Sequence, residues 1–154
     1  MKRALRNRSG LTNAGESGVV AVEMAIVLPV LTIIFLTIID VGLVAREHQI
    51  IENAAREGAR FSAQPINWIS PVNPGANEDT IRQRVIDYCA QENINVSSGS
   101  ITIDQRYPIV VGGTTVYASH VRVRYVRSFL VAGAPLLPVA QVTLEGNSVF
   151  RNLY

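Results

Sequence analysis

Cysteine and histidine are scarce in this chain of 154 residues. Cys89 is the one cysteine, so an intrachain disulfide is excluded and the fold has to be stable without one. Within a predicted helix, a lone cysteine is more often a small buried apolar residue than a nucleophile, and a disulfide-linked dimer is the second interpretation. The two histidines, His48 and His120, lie in different predicted elements, so the sequence contains no cluster with metal-ligand spacing.

Sequence motifs of catalysis are also missing. The pair Gly112-Gly113 lies between two apolar strand patterns and indicates a hairpin turn rather than a phosphate-binding loop. No serine occupies the strand-to-helix turn that presents a hydrolase nucleophile. We therefore expect a protein that is not an enzyme, with no metal, no other cofactor and no small-molecule substrate.

Positive charge is concentrated in the first 18 residues. The formal net charge is +2, from 14 basic and 12 acidic residues. Residues 1–18 contain four of the basic and one of the acidic residues, so the rest of the chain has ten basic and eleven acidic residues and a net charge of −1. Because nucleic-acid-binding domains carry a basic surface, this distribution indicates no nucleic-acid partner.

A long apolar run from 19 to 45 follows this basic leader. It is long enough to cross a bilayer, because about 20 apolar residues span the hydrocarbon core. Asp40 is predicted as an intramembrane acid near the far end of the run, where a carboxylate reaches the interface at low cost. The basic leader favours the cytoplasmic side, so the part of the chain after the span is expected outside.

Three interpretations compete for this N-terminal segment. A plain signal anchor explains the apolar run, whereas a cleaved secretory signal peptide fits poorly, since the run is too long and no small-x-small site closes it. A prepilin explains three features together: a basic leader that ends at Gly18, an acid five residues later, and a membrane helix that begins at the cut. Glycine at the cut has a simple reason, because a residue without Cβ lets an extended backbone enter a protease site.

Glu23 is the acid that this interpretation has to explain. A carboxylate within a bilayer is costly and indicates function. Cleavage after Gly18 creates an amine on Val19, and in a bundle of such helices the amine of one subunit can pair with Glu23 of its neighbour. The helix start also favours a nearby negative charge. We therefore expect Glu23 to be disfavoured in lipid and neutralised in a filament.

Three motifs in this order resemble the TadE-like family, which comprises minor pilins or pseudopilins of tight-adherence (Flp-type) pilus systems. They are Gly18-Val-Val-Ala-Val-Glu23-Met-Ala-Ile-Val-Leu-Pro29, then Ile39-Asp40-Val41-Gly42, then Asn53-Ala-Ala-Arg-Glu-Gly-Ala-Arg60. The resemblance implies cleavage between Gly18 and Val19 by a prepilin peptidase, a need for Glu23 in processing or assembly, and residence in the bacterial inner membrane. It implies the peptidase and other pilins of the same system as partners. The alternative is a bitopic anchor whose outer domain binds a secretion component without entering a filament.

The helix is predicted to continue from 46 to 64. The small residues Ala54, Ala55, Gly58 and Ala59 recur at a spacing of four and let helix backbones approach closely. This stripe packs either against sibling helices or against the sheet of the same chain, and an ordinary amphipathic core helix is the simpler interpretation.

Residues 65–154 are predicted to form an extracytoplasmic α+β domain. A proline-containing loop leads to a short helix that is capped by Asn77 and buries Cys89 on one face, and three or four antiparallel strands follow. Pro108 is expected to bulge or end the first strand. The basic strip of Arg122, Arg124 and Arg127 is interpreted as the solvated face of the sheet. The predicted whole is a pilin-like α+β fold with a long N-terminal membrane helix.

Overall fold

The computed structural model describes residues 13–64, 74–130 and 141–152. Two helices, α1 and α2, and three strands, β1 to β3, follow one another along the chain. Their bounds are Asn13–Ser62 for α1, Pro74–Gln91 for α2, Ile101–Val111 for β1, Thr114–Ser128 for β2 and Gln141–Arg151 for β3. The predicted α+β class is confirmed. Residues 1–12 of the predicted leader and most of the predicted proline-containing loop lie outside the described residues.

The chain divides into two compact units, residues 1–39 and residues 40–154. The predicted boundaries at Gly18, Ala45 and Gln64 stay predictions. Helix α1 begins at Asn13, six residues earlier than the helix start predicted at Val19, and it continues through Pro29.

The first unit contains the apolar part of α1. Its large apolar side chains, among them Val19, Ile26 and Phe35, are exposed. The hydroxyl groups of Thr32 and Thr37 each donate to the backbone carbonyl four residues earlier, at 2.8 Å, so they are satisfied inside the helix. The helical segment Ser17–Ser62 contains a window of mean hydropathy 2.7, none of it buried. By length and composition the chain therefore has a single-pass membrane anchor.

The second unit is built on a three-stranded antiparallel sheet in the order β1-β2-β3. One face of the sheet is covered by the C-terminal part of α1 and by α2. The core comprises the following apolar side chains: Ile50, Ile51, Ala54, Ala55, Ala59, Val85, Cys89, Ile94, Val96, Ile101, Val121 and Val123. The opposite face carries polar residues such as Arg124, Glu145 and Asn147, which is the usual alternation of a sheet with one wet side.

The hairpin between β1 and β2 has the predicted two-residue turn. Gly112 and Gly113 have φ angles of +59° and +82°, and such turns need residues that tolerate positive φ at both positions. Pro108 does not end β1, because β1 is an edge strand and its outer side needs no N–H donor there. The register instead shifts between Asp104 and Tyr107, close to the predicted bulge.

The prediction that Asn77 begins the second helix is wrong. Helix α2 starts at Pro74, so Asn77 lies inside it. Proline is tolerated in the first turn of a helix, because its missing N–H would have no intrahelical partner at that position. The prolines of the preceding loop therefore do not exclude a helix that starts with one of them.

Candidate assembly helix and the Asp40 cluster

The residues of the predicted processing site lie on an exposed part of α1. Gly18, Val19 and Glu23 are all exposed, and an added Cβ at Gly18 would meet nothing within 4 Å. Together with Val22 and Ile26 they line a shallow depression whose surface is mainly apolar. Within the part of the chain that the structure describes, Glu23 forms no ion pair. This segment thus presents one carboxylate in an apolar, accessible surface.

Asp40 has partners that the sequence did not predict. It is 2% exposed, and its two carboxylate oxygens accept hydrogen bonds from the backbone N–H of Leu130 at 2.9 and 3.1 Å. Arg127 Nη2 donates to Asp40 Oδ1 at 3.3 Å. The acid near the far end of the predicted span therefore holds the end of β2.

Arg127 bridges two carboxylates of α1, those of Asp40 and Glu47. These acids are seven residues apart, about two helical turns, so they lie on the same face of α1. The interpretation of Arg127 as part of a solvated strip is wrong, since its side chain is buried on the helix-covered face. Strand alternation would have predicted this burial. Arg127 is an even number of residues from the core residues Val121 and Val123, so it faces the core side of the sheet, unlike Arg122 and Arg124.

Arg122 and Arg124 lie on the wet face of the sheet, as predicted. Their Nε atoms lie 3.0 and 3.1 Å from the two carboxylate oxygens of Glu145 on β3. Both guanidinium groups thus share one exposed acid, which offsets half of their positive charge.

The small-residue stripe of α1 contacts the chain's own domain. Ala54, Ala55 and Ala59 are fully buried, and a Cβ added to Gly58 would lie 2.6 Å from Val85 Cγ2 of α2. The same Cβ would lie 3.3 Å from Val121 Cγ1 of β2. Of the two alternatives left open by the sequence, the structure therefore brings the stripe against its own sheet and helix.

Gly146 of β3 was not among the predicted packing residues, although it lies directly against the backbone of α1. A Cβ at Gly146 would lie 2.3 Å from the carbonyl oxygen of Ile51 and 2.8 Å from the backbone nitrogen of Glu52. The glycine thus lets the strand backbone lie directly against the helix backbone. An isolated glycine inside a strand pattern is the sequence signal for such an approach.

A buried polar network holds the C-terminal end of α1. Ser62 Oγ donates to Ser119 Oγ at 2.9 Å, and Gln105 Nε2 donates to Ser62 Oγ at 3.0 Å. Ser119 Oγ also donates to Asn152 Oδ1 at 3.0 Å. Strands β1 and β2, and Asn152 directly after β3, are linked to α1 in this way through neutral groups, so the network positions these elements.

Cys89 lies in the core, and burial raises the pKa of its thiol to about 11. A thiol that stays protonated at neutral pH is a poor nucleophile, which agrees with the interpretation of Cys89 as a packing residue. Over residues 13–64, 74–130 and 141–152, no group of three or more His, Cys, Asp or Glu side chains is placed to hold a metal ion.

Comparison with known families finds a match to the family described as TadE-like protein, over residues 18–60. No curated protein and no solved structure matches the chain. The matched segment begins at Gly18 and contains Glu23, Asp40 and the small-residue stripe, and it implies involvement in tight-adherence (Flp-type) pilus systems. The match over residues 18–60 confirms the resemblance seen in the motifs of this N-terminal segment.

Proposed function

We propose that the protein is a minor pilin or pseudopilin that takes part in assembly of a tight-adherence pilus. A prepilin peptidase removes residues 1–18, and the new helix start at Val19 joins or initiates a filament. The observation that carries this proposal is the family match that begins at Gly18, together with an exposed Glu23 five residues later that forms no ion pair with the described residues.

Glu23 supports an assembly role through its surroundings. Exposed apolar side chains flank it on α1, so the carboxylate meets hydrocarbon when the helix crosses a bilayer. A neighbouring helix that brings the amine of Val19 neutralises it, which favours the packed bundle over the dispersed membrane state.

We further propose that the anchor lies in the bacterial inner membrane, with the N-terminus in the cytoplasm and the α+β domain in the periplasm. The basic leader supports this orientation. The surface pilus is the second location of the mature chain. The role is structural rather than catalytic, and the partners are the prepilin peptidase and other pilins of the same system, with no nucleic acid and no small-molecule substrate.

Intact mass tests the processing step. The full chain is expressed in membranes with and without a tight-adherence prepilin peptidase, and we expect loss of residues 1–18 only with the peptidase. Gly18→Val is expected to abolish the cut. Gly42→Val is the matched control, because Gly42 lies on the same helix and an added Cβ there also meets nothing within 4 Å. A full-length mass in the presence of active peptidase would contradict the proposal.

Shearing of surface pili separates the pilin from the alternative of a bitopic anchor. A filament subunit appears in the sheared fraction in its processed form, whereas a membrane-bound helper stays with the cells. Retention in the membrane, with normal pili, would favour an outer domain that binds a secretion component without entering the filament.

A further inference from the structure

The two edge strands of the sheet differ in how they are protected against pairing with another chain. The strand order β1-β2-β3 leaves one open side on β1 and one on β3. On β1, Pro108 has no N–H to donate, and the register shifts between Asp104 and Tyr107. Strand β3 contains no proline and pairs with β2 along its whole length of 11 residues without a register shift. Prolines and bulges are the usual protection of an edge strand, and β3 has neither.

The outer side of β3 presents backbone groups to a partner. Successive residues of a strand direct their N–H and C=O groups to opposite sides, so about half of these groups in Gln141–Arg151 face away from β2. Helix α1 contacts β3 from its face, where a Cβ on Gly146 would meet the backbone of Ile51, and not from this side. Within residues 13–64, 74–130 and 141–152, no other strand pairs with β3. Such an edge accepts an extended segment as a further strand.

Positive charge is in excess on the wet face beside this edge. By strand alternation, the side chains of Arg122, Arg124, Glu145 and Arg151 all lie on that face. Arg122 and Arg124 share Glu145, whereas Arg151 is exposed and forms no ion pair with a described residue. Three guanidinium groups and one carboxylate leave a net charge of +2 here. A segment that carries acidic side chains is therefore complementary to this edge, whereas a second copy of the chain brings a face of the same sign.

We propose that the outer edge of β3 binds an extended acidic segment of a partner protein as a fourth strand. Backbone hydrogen bonds along β3 supply the affinity, and an acidic side chain opposite Arg151 contributes to specificity. The contact is a surface of the folded unit, residues 40–154, and depends neither on cleavage at Gly18 nor on Glu23. It therefore goes beyond the proposed function, and either proposal can fail without the other.

Binding of a synthetic peptide tests the proposal. The full chain in detergent micelles is titrated into a short fluorescent peptide in which glutamate alternates with threonine, and fluorescence anisotropy measures the Kd. The same peptide with lysine in place of glutamate is the control for charge, and we expect it to bind roughly tenfold more weakly. A glutamate peptide methylated at two adjacent central backbone nitrogens is the control for strand pairing. We expect it not to bind, because adjacent N–H groups point to opposite sides and both sides are then blocked.

Two further measurements locate the binding site. Hydrogen exchange of the full chain, followed by NMR, is expected to show roughly fivefold slower exchange for the outward amides of β3 when the glutamate peptide is bound, with β1 unchanged. Arg151→Gln is expected to weaken binding about threefold, as for the loss of one cross-strand charge pair. Arg106→Gln, which changes an exposed arginine on the opposite edge strand, is the matched control and is expected to have no effect.

Four results would overturn the proposal. These are no binding of the glutamate peptide, equal binding of the lysine or the methylated peptide, slower exchange on β1 in place of β3, and equal effects of Arg151→Gln and Arg106→Gln. Self-association of the chain that excludes the peptide would assign the edge to a second copy and would overturn it as well. None of these results bears on the processing step, which the intact mass tests separately.

Discussion

Arg127 Nη2 lies 3.3 Å from Asp40 Oδ1, although 87 positions separate the two residues along the chain. The ion pair joins the first residue of the second unit to the end of β2, its central strand. Glu47, about two helical turns further along α1, is the second carboxylate that binds Arg127. A buried cation between two carboxylates of one helix holds that helix and the strand in a single relative position.

Replacement of Arg127 is expected to destabilise the domain strongly. Arg127→Leu leaves the buried carboxylate of Asp40 and the partly buried carboxylate of Glu47 without their cation, and the expected loss is about 3–5 kcal/mol in the free energy of unfolding. Arg124→Leu, which removes an exposed partner of Glu145, is the control and is expected to cost at most about 1 kcal/mol. Thermal unfolding in detergent measures both, and equal effects would contradict a structural role of the buried cluster.

Gly146→Ala is expected to disrupt the packing of β3 on α1. The added Cβ would meet the backbone of Ile51 and Glu52, which cannot rotate away as a side chain can, so the expected cost is about 3 kcal/mol. Gly99→Ala is the control, because a Cβ there meets nothing within 4 Å. Denaturant unfolding of the two variants checks this, and a Gly146→Ala chain as stable as Gly99→Ala would show that the close approach is not required.

The thiol of Cys89 is expected to react slowly until high pH. Burial raises its pKa from an ordinary 9.0 to about 11, so the folded protein holds about 100-fold less thiolate near pH 8 than the unfolded chain. Because the raised pKa favours the protonated form, the associated stability is complete below pH 9 and is lost as the pH rises from there toward 11.

Alkylation of the single cysteine, followed by mass in native buffer and in denaturant, measures this reactivity. The denatured chain supplies the control for reagent and pH. Fast native labelling at neutral pH would contradict the burial of Cys89 and would restore the disulfide-linked dimer as an interpretation.

Glu23→Gln is expected to spare membrane insertion but to impair assembly. The substitution keeps the shape of the side chain and removes the charge that neutralises the amine of Val19 in a neighbouring subunit. We expect the yield of sheared pili to fall on the order of tenfold, which corresponds to a loss of about 1.4 kcal/mol per contact. Val22→Gln, another polar replacement on the exposed helix, is the control. Unaffected pili in the Glu23→Gln strain would discount the pairing mechanism.

Much of the fold could be predicted from local patterns in the sequence. The hairpin turn follows from Gly112-Gly113, since few other residues accept positive φ at two successive positions. The wet face of β2 follows from alternation at Arg122 and Arg124. The start of α2 did not follow, because Pro74 is compatible with either a loop or the first turn of a helix, and only the surrounding structure selects between them.

The contact partners of individual side chains were harder to predict from the sequence. Asp40 has the same local sequence whether it faces lipid or Arg127, and a separation of 87 positions gives no local signal of the contact. The small-residue stripe is likewise compatible with sibling helices or with the chain's own sheet. Its contacts with Val85 and Val121 depend on the register of elements that lie far apart in the chain.

The sequence by itself determined the membrane anchor, the TadE-like segment and the order of helices and strands, because hydropathy, periodicity and turn chemistry are properties of neighbouring residues. Only the tertiary structure decided that Arg127 is buried between Asp40 and Glu47 and that Gly146 lies against the backbone of Ile51. The physical reason is that burial and ion pairing depend on which distant segments pack together. The spacing of residues along the chain does not determine which of them are close in space.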